Sequence, residues 1–264
     1  MKLILLNFLL FTSQIVATYY DSDIDGIEDK FDQCANTPFD VLVDQFGCNE
    51  NGNAGKLIVK IGTDLGFDST TQSTSTYNFL LHYEKNNWTM GVSNSNYIGY
   101  DDMNISSNET GDIYTHLGYT LNHDTFSSVL GMGMKVATAN TSVGTGENDY
   151  FISTRFTTRE PQNPYRLFGT FLYTYTGDTS TAKYEDIFSY SAGIAYTIND
   201  NYYTSLYYEN SQSIYEDAEN YEALVWSNHY TYNDDYFVEL DYIRGLDTYS
   251  YTHLFAFKIG VVFE

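Results

Sequence analysis

The C-terminal stretch, Ser250 to Phe263, places the tightest constraint on how this chain can fold. Alternate residues form one continuous apolar face and one face of small or polar side chains. The apolar face carries Tyr251, His253, Phe255, Phe257, Ile259, Val261 and Phe263, and the other carries Thr252, Leu254, Ala256, Lys258, Gly260 and Val262. This two-residue period predicts a β-strand longer than the strands of most globular proteins. Such a strand, about 10 or more residues long, suits a wall in contact with lipid.

The composition also favours strands. Aromatic residues make up 17% of the chain and Pro only 3 residues, so β-formers dominate. The balance is strongly acidic, with Asp+Glu 35 against Lys+Arg 12 and a formal net charge of −23. Because phosphate contacts need clustered Lys and Arg, this balance argues against nucleic-acid binding. The many aromatic residues argue against disorder.

The first 17 residues have the pattern of a secretory signal peptide. Lys2 supplies the positive charge, Leu3 to Phe11 the apolar core, and Ala17 a small residue at the cleavage site. The apolar run is too short for a spanning helix. The alternative interpretation is a buried N-terminal strand. We expect an exported protein with the signal peptide at 1–17.

Periodicity and turn signals predict about twelve strands after a polar hinge at 49–55. The predicted strands are Lys56–Phe67, Ser75–Glu84, Trp88–Ile98, Gly111–Leu121, Thr125–Ala137, Asp149–Thr158, Tyr165–Tyr175, Glu185–Ile198, Tyr202–Asn210, Tyr221–Tyr230, Tyr236–Arg244 and Ser250–Phe263. An even number is typical of bacterial membrane barrels. The fold-level alternative, a soluble all-β protein, would have strands of about 5–6 residues with a polar outer face.

The connections between these strands alternate in length. The long ones are Asp68–Thr74, Gly99–Thr110, Thr138–Glu147, Thr176–Lys183 and Ser211–Asn220, and Leu246–Tyr249 is the shortest of that set. The short ones are Lys85–Asn87, Asn122–Asp124, Glu160–Pro164, Asn199–Asn201 and Thr231–Asp235. Short periplasmic turns opposite longer outer loops are typical of an up-and-down transmembrane barrel. If the short turns are periplasmic, this alternation also puts both termini in the periplasm.

The two-residue period also divides each strand into a lipid face and a lumen face. The predicted lipid face carries Leu57, Val59, Ile61, Phe79, Leu81, Trp88, Met90, Val92, Ile113, Leu117, Leu130, Met132, Met134, Val136, Phe188, Tyr190, Ile194, Tyr196, Val238 and Leu240, together with the last strand. The opposite face is predicted to be small and charged. Its candidate lumen residues are Lys60, Asp64, Glu84, Lys135, Arg155, Arg166, Glu239, Asp241 and Lys258. A Lys or Arg facing mid-bilayer lipid would cost about 2–4 kcal/mol, which favours this assignment. The strands from Tyr165 and Tyr221 do not alternate cleanly, so their faces stay unassigned.

An aromatic residue close to the C-terminus, here Phe263, resembles the terminal signature of bacterial outer-membrane β-barrels. The resemblance implies insertion into outer-membrane lipid. In this chain Glu264 follows the aromatic residue, whereas family members usually end on it.

An acidic loop precedes the predicted barrel. Asp21, Asp23, Asp25, Asp29 and Asp32 fall at positions of a twelve-residue calcium loop, with Gly26 at the sharp turn and Ile27 placed to offer its backbone carbonyl. The sequence therefore predicts a Ca²⁺ site with ligands Asp21, Asp23, Asp25, Ile27, Asp29 and Asp32. A solvated acidic linker is the alternative.

The wider segment resembles the thrombospondin type-3-like repeat found in outer-membrane proteins of the OmpA family. The residues that carry the resemblance are Cys34, Thr37, Pro38, Val43, Asp44, Gly47 and Cys48. It implies a calcium-linked structural module over 19–48, with periplasmic or cell-wall contacts as its partners, and implies no activity. The chain's two cysteines, Cys34 and Cys48, are most simply a disulfide in an exported protein.

The charged interior leaves the function open. A pore would pass small polar solutes through the barrel of 56–264. Alternatively, the charges pair and fill the barrel, which would make it a non-conducting structural or adhesive protein. An outer-membrane hydrolase is a third class, but none of the five His is followed two residues later by Ser, and no G-x-S-x-G or H-E-x-x-H motif occurs. We therefore expect no enzymatic activity.

Overall fold

The computed structural model describes residues 27, 32, 55–67, 73–101, 104–123, 125–139, 146–158, 163–178, 183–199, 201–216, 218–233, 235–248 and 251–263. The predicted signal peptide and disulfide, the predicted hinge apart from Gly55, and the calcium ligands other than Ile27 and Asp32 lie outside these residues. Within the described ranges, no helix is long and apolar enough to cross a membrane.

The described residues form a closed barrel of twelve antiparallel strands, in which each strand pairs with the next along the chain and β1 pairs with β12. The strands are β1 (Lys56–Phe67), β2 (Ser73–Lys85), β3 (Trp88–Asp101), β4 (Asn104–Asn122), β5 (Phe126–Val136), β6 (Asp149–Thr158), β7 (Tyr165–Tyr175), β8 (Ile187–Asn199), β9 (Tyr202–Ser211), β10 (Tyr221–Asn233), β11 (Tyr236–Gly245) and β12 (His253–Phe263). The predicted all-β, up-and-down barrel is confirmed. Closure leaves no unpaired sheet edge, as a wall in lipid requires.

Several predicted strand bounds differ from the structure by a few residues, and the prediction fails most clearly between β3 and β4 and at the start of the last strand. The stretch Gly99–Thr110 was predicted as a long loop, but β3 continues to Asp101 and β4 begins at Asn104, with the two strands paired to their ends. The last strand begins at His253 rather than Ser250. Tyr251 therefore does not share the outer face, and its side chain packs against apolar residues inside the barrel. Its ring also covers Gly66, where an added Cβ would lie 2.6 Å from Tyr251 Cδ2.

The connections give the barrel two different ends. We call the end with the turns after β2, β4, β6, β8 and β10 the short-turn end, and the opposite end the long-loop end. The start of β1 and the end of β12 both lie at the short-turn end because the number of strands is even. In the turn after β2, Asn86 has a φ of 54°, a left-handed conformation that Asn tolerates better than most residues.

The outer face of the wall is apolar at mid-strand. Ile61, Met132 and Ile152 are 61%, 60% and 62% exposed. Aromatic side chains such as Trp88, Tyr150 and Tyr165 are exposed near strand ends. So much exposed apolar surface is expected where the solvent is lipid rather than water.

The inner face is less uniform than the prediction of small and charged residues. A buried apolar cluster includes Phe168, Ala195, Tyr207, Tyr221, Ala223, Val225, Ile243, Leu254 and Ala256 on β7 to β12. The sequence left the faces of β7 and β10 unassigned because both faces of these strands carry apolar residues. In the structure both strands alternate: Arg166, Phe168 and Thr170 are buried, while Tyr165, Leu167 and Phe171 are exposed.

Candidate functional site: the inner wall of the barrel

All nine predicted lumen residues lie within the described strands, and most are buried. Their exposed fractions are at most 9% at Lys60, Asp64, Lys135, Arg166, Glu239, Asp241 and Lys258. Glu84 and Arg155 are half-buried. In a closed barrel whose apolar residues face outward, these buried positions line the inner wall. The contacts among them decide what the wall can do.

One group of contacts joins β1 to β11 across β12. Lys60 Nζ lies 2.6 Å from Glu239 Oε1 and 5.2 Å from the centroid of the Phe237 ring. Gly260 on β12 pairs with Lys60 on one side and with Phe237 on the other. An added Cβ at Gly260 would lie 1.9 Å from Phe237 Cζ. The absence of a side chain at Gly260 therefore lets the Phe237 ring lie on the wall and lets Lys60 reach Glu239.

Aromatic stacking continues this group around the wall. The His229 ring lies 4.8 Å from the Phe237 centroid and 4.7 Å from the Tyr203 centroid, close to parallel with both. His229 Nδ1 is 3.6 Å from Glu239 Oε1. Rings on three neighbouring strands thus lie in one stack on the short-turn half of the inner wall.

A second ion pair lies beside the first. Lys258 Nζ donates to Asp241 Oδ2 at 3.1 Å, and Ser227 Oγ donates to Asp241 Oδ1 at 2.5 Å. Asn78 Nδ2 donates to Asp64 Oδ2 at 2.7 Å. The buried charges of this region are therefore compensated, which reduces the large cost of an isolated buried charge.

The third ion pair ties strands to loops at the long-loop end. Lys135 Nζ lies 2.5 Å from Asp149 Oδ2 and 3.8 Å from Asp112 Oδ2. The backbone N–H of Thr138 donates to Asp112 Oδ1 at 2.9 Å, and that of Gly177 to Asp149 Oδ1 at 3.0 Å. Asp112 and Asp149 were missed as lumen residues. The signal was present for Asp149, since it is six residues before Arg155 and so shares its face.

A histidine pair lies on β2 and β4. His82 Nε2 is 2.5 Å from Glu84 Oε1, and His82 Nδ1 is 3.1 Å from His116 Nε2. Gly91, between the two strands, makes room because an added Cβ would lie 2.2 Å from His116 Cε1. Among the described residues, no group of three or more His, Cys, Asp or Glu is arranged to hold a metal ion.

Two connections at the long-loop end pack against each other. The Glu185 N–H donates to the Ile214 carbonyl at 2.9 Å, and the Tyr184 and Tyr215 rings meet edge to face at 5.9 Å. Ile214 is 7% exposed. Burial, and to a lesser degree Tyr184, raises the pKa of Tyr215 above its ordinary value. These contacts shape one side of the long-loop end.

Comparisons with known proteins show the fold. No protein-family model matches the chain, and a comparison with curated proteins found no match. An outer membrane channel from Pseudomonas putida F1 is 10% identical, with a TM-score of 0.60 over 80% of this chain and 95% of that chain. The NanC porin is 14% identical, with a TM-score of 0.56 over 79% of this chain and 99% of that chain.

The translocator domain of the autotransporter NalP from Neisseria meningitidis is also similar, at 9% identity and a TM-score of 0.50 over 79% of this chain and 88% of that chain. These structures are bacterial outer-membrane β-barrels. At such low identity the likeness is one of fold, so function has to be argued from the inner wall.

Proposed function

We propose that the protein is a bacterial outer-membrane barrel that acts as a passive, porin-like channel for small polar solutes. The observation that carries the proposal is the contrast between the two faces of the wall. Ile61, Met132 and Ile152 face outward, whereas charged and hydroxyl side chains such as Lys60, Lys258 and Ser227 face inward. An apolar exterior suits lipid, and a polar interior suits water and polar solutes. The shared short-turn end of β1 and β12 supports a periplasmic location for both termini.

Single-channel conductance of the refolded protein in a planar bilayer tests this proposal. Lys258→Gln removes a positive charge from the inner wall, so cation permeability relative to anions should rise. Lys85→Gln is the control, since Lys85 ends β2 in phase with the outer residue Phe79 and its loss should leave selectivity unchanged. A silent bilayer, with protein that still shows heat-modifiable migration in detergent gels, would contradict the channel function.

A non-conducting structural or adhesive protein is the second candidate, and the ion pairs favour it. The side chains of Lys60 and Glu239 are 11% and 3% exposed and lie 2.6 Å apart, as in a filled small barrel. The double variant Lys60→Met with Glu239→Gln removes this pair without leaving an uncompensated charge. If the wild type is silent and the double variant conducts, the paired charges close the barrel and the structural role is correct.

The N-terminal segment adds a calcium proposal of its own. We expect Asp21, Asp23, Asp25, Asp29 and Asp32, with the Ile27 carbonyl, to bind Ca²⁺ in the periplasm, and Cys34–Cys48 to close the module by a disulfide. Chelation should expose 21–48 to proteolysis while the barrel stays protected. Asp25→Asn should give the same pattern at saturating calcium, and equal protection with and without calcium would contradict the site.

A further inference from the structure

Three neighbouring strands present unpartnered oxygens in one row of the inner wall. Thr170 on β7 pairs with Ser191 on β8, and Ser191 pairs with Glu209 on β9. Their exposed fractions are 6%, 5% and 3%. Within the described part of the chain, Thr170 Oγ1, Ser191 Oγ and Glu209 Oε2 have no hydrogen-bond partner. A buried polar atom without a hydrogen bond is destabilising, so a ligand that donates hydrogen bonds would stabilise this row.

Glu209 is held in place by one neighbour. The Tyr221 hydroxyl donates to Glu209 Oε1 at 2.6 Å, which fixes the carboxylate and leaves Oε2 directed away from that bond. The residue paired with Glu209 on β10 is Ala223, whose side chain has no donor. The carboxylate therefore keeps one buried acceptor oxygen, Oε2, that no hydrogen bond from the described residues uses.

Aromatic rings lie one step nearer the short-turn end on the same strands. Phe168 pairs with Gly193, and Gly193 pairs with Tyr207. The Phe168 and Tyr207 rings meet edge to face across Gly193, with centroids 5.7 Å apart. A Cβ on Gly193 would lie 2.3 Å from Tyr207 Cβ, so only glycine allows this approach. Rings next to a carboxylate favour a cation, because the ring face attracts positive charge.

The approach from the long-loop end is lined by small polar side chains. The next inward residues there are Ser189 on β8 and Ser211 on β9, whose hydroxyls lie 2.7 Å apart. They are hydrogen-bonded to each other, in contrast to the row below them. The row of unpartnered oxygens therefore lies between the two serines, towards the long-loop end, and the Phe168 and Tyr207 rings, towards the short-turn end.

We propose that Thr170, Ser191 and Glu209, with the Phe168 and Tyr207 rings, form a subsite for a primary ammonium group of a permeating solute. A primary ammonium has three N–H donors, which match the two hydroxyl oxygens and the one carboxylate oxygen. The proposal rests on the channel function and narrows its solutes to those that carry an amine.

The test is the reversal potential of single channels in methylammonium chloride gradients. The wild type should favour methylammonium over chloride, and Glu209→Gln should lower that permeability ratio several-fold while Tyr221 still donates to the amide oxygen. Glu222→Gln is the matched control because Glu222 lies on the opposite face of the wall and accepts from Asn210. An unchanged ratio in Glu209→Gln would overturn the subsite and leave the channel function intact.

A silent bilayer would overturn the channel function, and the subsite would then be decided by thermal unfolding in micelles. A ligand that binds the folded state raises the unfolding midpoint. Methylammonium should raise the midpoint of the wild type above that in tetramethylammonium, which has the same charge but no N–H donor. The difference should vanish in Glu209→Gln. An equal midpoint in both salts for the wild type would overturn the subsite.

Discussion

At the residue scale, Gly260 controls the packing of the inner wall. The Phe237 ring lies where a β12 side chain would be, and it is held between the His229 ring and the Lys60 ammonium. Gly260→Ala should therefore destabilise the barrel by about 1–3 kcal/mol, since the ring has to leave a confined position. Urea unfolding in lipid vesicles measures this change, and Phe237→Leu in the same chain should recover part of it.

Gly131→Ala is the matched control for that substitution. There the nearest atom to an added Cβ is Ser153 Oγ at 2.4 Å, a hydroxyl that can rotate away, and the next is 3.7 Å distant. Its cost should be clearly smaller than that of Gly260→Ala. Equal costs at the two glycines would mean that the contact with the Phe237 ring does not set the effect, since the lower backbone entropy of alanine in the unfolded chain would favour folding at both positions.

At the element scale, the turn after β2 depends on Asn86. Its φ of 54° is costly for most residues, by about 1–2 kcal/mol, but not for glycine. Asn86→Gly should leave the free energy of unfolding unchanged or raise it, and Asn86→Ala should lower it by about 1 kcal/mol. The neighbouring substitution Asn87→Ala, at a residue without positive φ, should cost less. A larger loss for Asn87→Ala would contradict the conformational argument.

The element boundaries show what periodicity can predict. The bounds of β1, β6 and β7 match the predicted strands residue for residue, because turn-forming Gly, Asp, Asn or Pro residues lie close to both ends of each pattern. The stretch Gly99–Thr110 is misassigned because most of its residues are polar or glycine. A polar stretch is typical of a loop, but here it extends the β3–β4 hairpin. Hydrophilicity alone therefore does not distinguish a loop from an extension of two paired strands.

The inner wall was harder to predict than the outer face. A barrel in lipid needs an apolar outer face on every strand, so the two-residue period assigns charged residues such as Lys60 and Asp241 to the inner face. Apolar inner residues such as Phe168 and Val225 leave no such signal, because both faces of β7 and β10 are then apolar. Contacts across a strand, such as Lys60 with Glu239 over Gly260, depend on strand stagger, which one-dimensional patterns do not contain.

At the scale of the whole molecule, the apolar outer face predicts that the barrel lies in a membrane. The cost of an outward-facing arginine should then depend on its depth in the bilayer. Met132 lies next to the middle residue of β5 and is 60% exposed. Ser128 lies on the same face of the same strand, nearer the short-turn end. In lipid vesicles, Met132→Arg should lower the free energy of unfolding by about 2–4 kcal/mol, whereas Ser128→Arg, close to the interface, should cost about 0–1 kcal/mol.

This pair of substitutions separates a lipid environment from any other source of apolar exposure. Both residues are on the outer face, so water around the barrel would make the two arginines similarly cheap, since exposed surface substitutions change stability little. A cost that falls from the middle of β5 to its end requires a medium whose polarity changes along the strand, and only a bilayer has this property. Equal costs at Met132 and Ser128 would contradict the membrane placement on which the channel and its ammonium subsite both depend.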